Sequence, residues 1–276
     1  MRRFKQVDVF GAEPFRGNPV AVVSDAEGLT DDERTAFARW TNLSETTFLE
    51  RPSDPSADYR VRIFTPGAEL PFAGHPTLGS AHAWLEAGGV PADPAFVVQE
   101  CGIGLVRLKR GGAQLSFAAP ELIRSGPVDE AILERVAGSL GIDRSRILRH
   151  QWVDNGPGWL AVELADAAEV LALEPDFVAM RGLHVGVLGR HPDGAATRYE
   201  VRAFVPDLGV PEDPVTGSLN AGIARWMIGE GLAPPTYVAA QGTALGRSGR
   251  VFVEQSGGEI WIGGSTSTVI DGTVEF

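Results

Sequence analysis

Two stretches of this chain carry nearly the same punctuation. FTPGAELPFAGHPTLGSAHAWLEAGG begins at Phe64, and FVPDLGVPEDPVTGSLNAGIARWMIGEG begins at Phe204. After a two-residue length difference, Pro76, Gly79 and Ser80 fall on Pro214, Gly217 and Ser218 at an offset of 138. Upstream, GNPVAVV from Gly17 loosely matches GPGWLAV from Gly156. Solenoid repeats recur every ~20–50 residues, so a period of half a chain reads as a single duplication. The chain has 276 residues, long for one simple domain, and the duplication makes it two halves that fold alike.

Each half reads as strands around helices. RFKQVDVF and NPVAVV have the β-branched content of strands, and Tyr59, Val61 and Ile63 alternate on one face of DYRVRIFT. TDDERTAFARW opens with a capping box, Thr30 followed by Glu33. The helix after His75 sets Leu78, Ala81, His82 and Leu85 on one stripe and stops at Gly88–Gly89. Its counterpart carries Leu219, Gly222, Ile223 and Trp226. Both helices are poor in charge, which predicts that each is buried within the strands of its own half. The expected fold is α+β: two similar lobes, each a curved sheet around a central helix, with a cleft between them. The break at SFAAPELIRSGPVDE puts the lobes at residues 1–119 and 120–276. The final strand, 266–276, is free to pack back on the first lobe.

Composition excludes several classes of function. Hydrophobic residues make up 43% and charged residues 22%, as in ordinary globular proteins. A net charge of −12 argues against nucleic acid or an anionic membrane as partner, although backbone N–H groups can still hold a small acid. Cys101 is the only cysteine, so the chain has no internal disulfide and no thiolate metal cluster. MRRFKQVDVFGAEPF lacks the apolar core of a signal peptide, and no run approaches the ~18 apolar residues of a membrane span. A cytoplasmic protein is expected.

The candidate chemistry lies at the two buried helices. His75–Pro76 and Asp213–Pro214 each set a polar side chain before a proline, which suits the first helical position. Asp213 reads as an N-cap, and capping alone would account for it. His75 is a poor cap, which leaves room for a functional reason. With the lobes related by a pseudo-two-fold axis, both helix starts can face one cleft and hold a substrate carboxylate. Ser80 and Ser218 fall in the first turns, and Gly74 and Gly217 allow close backbone approach. Ser80 by itself also reads as an ordinary small helix residue.

A base is expected at Glu45. TNLSETTFLE reads as a strand in which Glu45 shares a face with Leu43, Thr47 and Leu49. Burial there would raise its pKa toward neutrality, as a carboxylate that takes and returns a proton requires. A solvated edge strand is the other reading. Asn18 and Asn155 occupy corresponding loops and either line the cleft or, as turn chemistry favours, shape it. His150, His184 and His191 show no partner pattern, and the scattered tryptophans read as core.

DVFGAEPFRGNPVAVV, LSETTFL, RIFTPGAELPFAGHPTLGSAH and EDPVTGSLN, in this order, resemble the PhzF-like phenazine-biosynthesis isomerases. The similarity runs from Phe4 to the C-terminal GGSTSTVIDGTVEF. It implies the two-lobed fold shared with diaminopimelate epimerase, a homodimer, and proton transfer on a small carboxylate-bearing substrate with no cofactor and no metal. By the same resemblance Glu45 is the base, His75 and Asp213 hydrogen-bond the substrate and help relay protons, and Ser218 with Gly74 and Gly217 holds a carboxylate.

Rival readings remain at this level. Racemases of the same fold that use two thiols are excluded by the single cysteine, but an epimerase using Glu45 with His75 or Asp213 is not. Ser80 and Ser218 lack the G-x-S-x-G elbow of a hydrolase. His75 and His82 are seven apart, which is not ligand spacing. A non-catalytic binding protein on the same fold is the reading from another class, and the intact Glu45–His75–Asp213–Ser218 set argues against it.

Overall fold

The two charge-poor helices, Gly74–Glu86 and Gly217–Gly229, both lie inside. In the first, every residue from Gly74 to Ala83 except His82 is buried; in the second, every residue from Gly217 to Met227 except Arg225. The computed structural model describes residues 1–111, 114–208 and 210–276. It divides into two units, Met1–Ala118 with Gly263–Phe276, and Ala119–Ile262.

The first unit runs β1 (Arg2–Val9), β2 (Asn18–Val23), α1 (Asp31–Thr41), β3 (Thr46–Glu50), β4 (Tyr59–Phe64), β5 (Glu69–Leu70), α2 (Gly74–Glu86), β6 (Phe96–Cys101), β7 (Gly104–Gly111) and β8 (Gln114–Ala118). Its sheet order is β1–β2–β3–β4–β6–β7–β8. The pairs β2–β3 and β4–β6 are parallel, which requires crossover connections, and α1 and α2 supply them. Thr30 and Glu33 form the expected capping box at the start of α1.

The second unit runs α3 (Glu130–Leu140), β9 (Arg149–Trp152), β10 (Trp159–Glu163), α4 (Ala167–Leu171), β11 (His184–Arg190), β12 (Tyr199–Phe204), β13 (Glu212–Asp213), α5 (Gly217–Gly229), β14 (Thr236–Gln241) and β15 (Gly249–Ser256). The same two crossovers recur: α4 joins parallel β10 and β11, and α5 joins parallel β12 and β14. Leu133, Val136 and Leu140 of α3 pack with Leu160, Val162, Val185 and Val187 in one core cluster. β16 (Glu259–Val274) starts in the second unit and ends in the first, where it neighbours β8 and pairs antiparallel with β1. The strands of the first unit, with the end of β16, therefore close around α2.

The duplication has a different register from the one its letters suggest. The helix starts, Gly74 and Gly217, lie 143 residues apart, and so do the single breaks in the two buried runs, His82 and Arg225. Gly79 and Gly222 share this offset and a packing role. A Cβ on Gly79 would lie 2.3 Å from Val20 Cγ1, and one on Gly222 would lie 2.3 Å from the Val153 carbonyl oxygen. The offset of 138 matched identical Pro, Gly and Ser letters. It aligned a proline inside one helix with a proline in the turn before the other.

Candidate active site

In the first unit, Glu45 and His75 come together. β3 begins at Thr46, so Glu45 stands just before the strand rather than within it. The β3 backbone is buried on both faces through Leu49, and a carboxylate inside it would have no route to a ligand. His75 is the second residue of α2, not its cap; Ala73 is the cap and makes no side-chain hydrogen bond. Pro76 is tolerated at the third position because first-turn N–H groups have no intrahelical partner.

Nε2 of His75 lies 3.4 Å from Oε2 of Glu45, with the side chains 4% and 15% exposed. That distance is outside the 2.7–3.2 Å of a good N–H···O bond. Nε2 is buried and without a hydrogen-bond partner. On the other side of the ring, Asn18 Nδ2 lies 3.3 Å from Nδ1. Asn18 is thus fully buried behind the imidazole and orients it, where its loop position had favoured a turn role. Burial pushes the His75 pKa down to about 3, opposed in part by a hydrogen bond with the Pro19 backbone. At neutral pH the contact with Glu45 is therefore not an ion pair. A neutral ring nitrogen faces a carboxyl group, both largely out of water, at a helix start with no side-chain cap.

Ser80 does not join them. It is in the second turn of α2, fully buried, and its hydroxyl donates to Thr47 Oγ1 at 2.9 Å. The bond ties the helix to β3, so Ser80 has a packing role and no hydroxyl left to donate to a substrate. Gly74 is the buried first residue of the helix.

In the second unit, Asp213 is not an N-cap. It ends the short strand β13, and Thr216 is the cap of α5. Thr216 Oγ1 donates to Asp213 Oδ2 at 2.6 Å. Gly217 and Ser218 are the first two residues of the helix, so Ser218 occupies the place that His75 occupies in α2. Trp159 Nε1 donates to Ser218 Oγ at 3.0 Å, which leaves the serine's own proton available to donate. Asn155 Nδ2 donates to the Ser218 carbonyl at 2.9 Å. Trp159 opens β10 as Asn18 opens β2, and each places an N–H against the second residue of the buried helix. A scattered tryptophan gave no sign of this in the sequence.

The remaining histidines are occupied. His150 Nδ1 accepts from the Val128 N–H, His184 contacts the Pro157 carbonyl, and His191 pairs with Glu200. Among the described residues no group of three His, Cys, Asp or Glu side chains is placed to hold a metal ion. Among them, no helix is long and apolar enough to cross a membrane.

Residues 7–272 match the family of phenazine biosynthesis-like proteins, PhzC-PhzF. The chain is 39% identical to antisense-enhancing sequence 1 of Schizosaccharomyces pombe, covering 98% of this chain and 97% of that one. It is 33% identical to trans-2,3-dihydro-3-hydroxyanthranilate isomerase of Pseudomonas aeruginosa, covering 93% and 91%. A crystal structure of a PhzF-family phenazine biosynthesis protein from Enterococcus faecalis superposes with a TM-score of 0.82 at 26% identity, over the full length of both chains.

Proposed function

Since the chain belongs to the PhzC-PhzF family of phenazine biosynthesis-like proteins, whose named members include isomerases, we propose that it moves one proton between two carbons of a small carboxylate-bearing substrate. Glu45 is the general base and then the general acid. The observation that carries this reading is the secluded contact between Glu45 and His75 at the start of α2.

The proton balance is simple. Glu45 takes a proton from a carbon acidified by neighbouring unsaturation, the electron pair delocalises over the conjugated system, and the same carboxyl returns a proton to another carbon. Nothing is oxidised, and no group leaves. His75, neutral because it is buried, acts as a hydrogen-bonding group toward the substrate, not as a cation. Asp213 hydrogen-bonds a polar group of the substrate. Ser218 and the first-turn N–H group at Gly217 bind its carboxylate, where the helix dipole favours negative charge. A homodimer is part of the same proposal, and light scattering would report twice the chain mass.

The test is incubation in D2O with trans-2,3-dihydro-3-hydroxyanthranilate and a panel of unsaturated carboxylic acids, followed by NMR. A double-bond shift with deuterium at the new C–H position supports the isomerase. Exchange at a stereocentre without such a shift replaces it with an epimerase. No exchange across the panel overturns the catalytic reading and favours a binding protein.

A further inference from the structure

We infer that Gln241 is a positioning residue, which through Thr216 holds the Asp213 carboxylate in one orientation. The inference rests on the role proposed above for Asp213. Gln241 is the last residue of β14 and is fully buried. Its Oε1 accepts from the Thr216 backbone N–H at 3.0 Å and from Asn220 Nδ2 at 2.8 Å. Its Nε2 donates to Thr216 Oγ1 at 2.9 Å and to the Asp213 carbonyl at 3.1 Å. A primary amide has two donor hydrogens and two acceptor lone pairs, and all four are used: three on the turn that leads into α5 and one on Asn220 in its first turn.

The consequence is directional. The Thr216 oxygen accepts the glutamine N–H, so its single proton is left to point the other way, and it donates to Asp213 Oδ2 at 2.6 Å. That is the length of a charge-assisted O–H···O bond. Asn220 closes the loop by donating to the Thr216 carbonyl at 2.9 Å. Of the charged groups on this turn and the elements packed on it, Glu212 and Arg202 are bonded to one another at 2.9 and 2.8 Å, and Arg247 has its Cβ beside Gly242.

A glutamine also braces the buried helix of the first unit. Gln99 of β6 is fully buried and donates from Nε2 to Thr77 Oγ1 at 3.0 Å. Thr77 and Asn220 are each the fourth residue of their helix. There the amide oxygen accepts from the Tyr59 hydroxyl at 2.8 Å. Both copies thus brace the buried helix from the strand that follows it, and the second copy extends the brace to the turn bearing Asp213.

The test is carboxyl-carbon NMR of the whole chain, titrating Asp213 in wild type, Thr216→Val, Thr216→Ser, Gln241→Met and the Thr216→Val/Gln241→Met double variant. Losing a donor destabilises a carboxylate's charged form and raises its titration midpoint. Thr216→Val is expected to raise the Asp213 midpoint by about one pH unit, tenfold in the ionisation equilibrium, and Thr216→Ser to keep it. Gln241→Met should raise it too, and the double variant should go no further than Thr216→Val alone. An unchanged midpoint in folded Gln241→Met overturns the inference, as does full additivity. If Gln241→Met does not fold, the wild-type Gln241 side-chain amide signals decide. They must shift with the Asp213 midpoint, and signals that ignore it overturn the inference. None of these readouts needs turnover, so a failure of the isomerase reading in the exchange assay is distinguishable from a failure here.

Discussion

Acid should destabilise this protein through His75 by an amount that can be worked out. Burial holds the imidazole at about 3 in the folded chain, against 6.5 for the exposed group. Between those values the unfolded chain binds a proton that the folded chain does not. Stability is therefore lost as pH falls through 6.5, and the loss continues to about 3. At 1.36 kcal/mol per unit, this group alone costs roughly 2 kcal/mol between pH 7 and pH 5. Urea unfolding of wild type and His75→Asn at pH 7, 6 and 5 isolates it, because the carboxylates and the other four histidines are common to both proteins. Wild type should lose roughly 2 kcal/mol more than the variant over that range. Parallel profiles would refute the claim that the folded chain keeps His75 neutral.

Three further outcomes follow from the packing. Gly222→Ala puts a Cβ 2.3 Å from a backbone oxygen, whereas Gly79→Ala meets the side chain of Val20. Thermal unfolding should show the larger loss for Gly222→Ala, about 1–3 kcal/mol after the ~1 kcal/mol helix gain of alanine, and equal or stabilising effects would count against the close approach of Gly222 to the Val153 carbonyl. Arg202→Met leaves Glu212 buried without its bidentate partner. Chemical denaturation should register a loss of about 3–5 kcal/mol, partly recovered by adding Glu212→Gln, and an intact midpoint in the single variant would rule this out. Asn18→Ala removes the amide against His75 Nδ1, so ring-nitrogen shifts of His75 should move and stability should drop by about 1 kcal/mol. Unmoved ring shifts would mean that Asn18 does not orient the imidazole.

The buried helices were legible because their exposed positions are so few. A run such as GHPTLGSAHAWLE has no charged residue before its last, and no surface helix is written that way. The capping box at Thr30 was legible because it is a local code. Register was not: Pro and Gly are punctuation in turns and helix starts alike, so equal letters matched unequal positions, with Pro76 inside α2 and Pro214 in the turn before α5. The sequence puts Glu45 inside the strand because TTFLE and SETTFLE have the same strand character, and only pairing fixes where a strand starts. The residues that support the candidate site were the least visible. Trp159 and Gln241 reach their partners across long sequence separations, 59 residues to Ser218 and 25 to Thr216. Spacing within one sequence has no means of pairing them.

Deuterium exchange by Glu45→Gln against wild type bears most directly on the mechanism. The amide keeps the shape and hydrogen-bonding capacity of the acid but cannot carry a proton to and from carbon. With the unfolding midpoint retained, exchange should fall by about 10²–10⁴-fold, the usual contribution of a positioned general base. Exchange at the wild-type rate would contradict the account, whatever else the variant preserves.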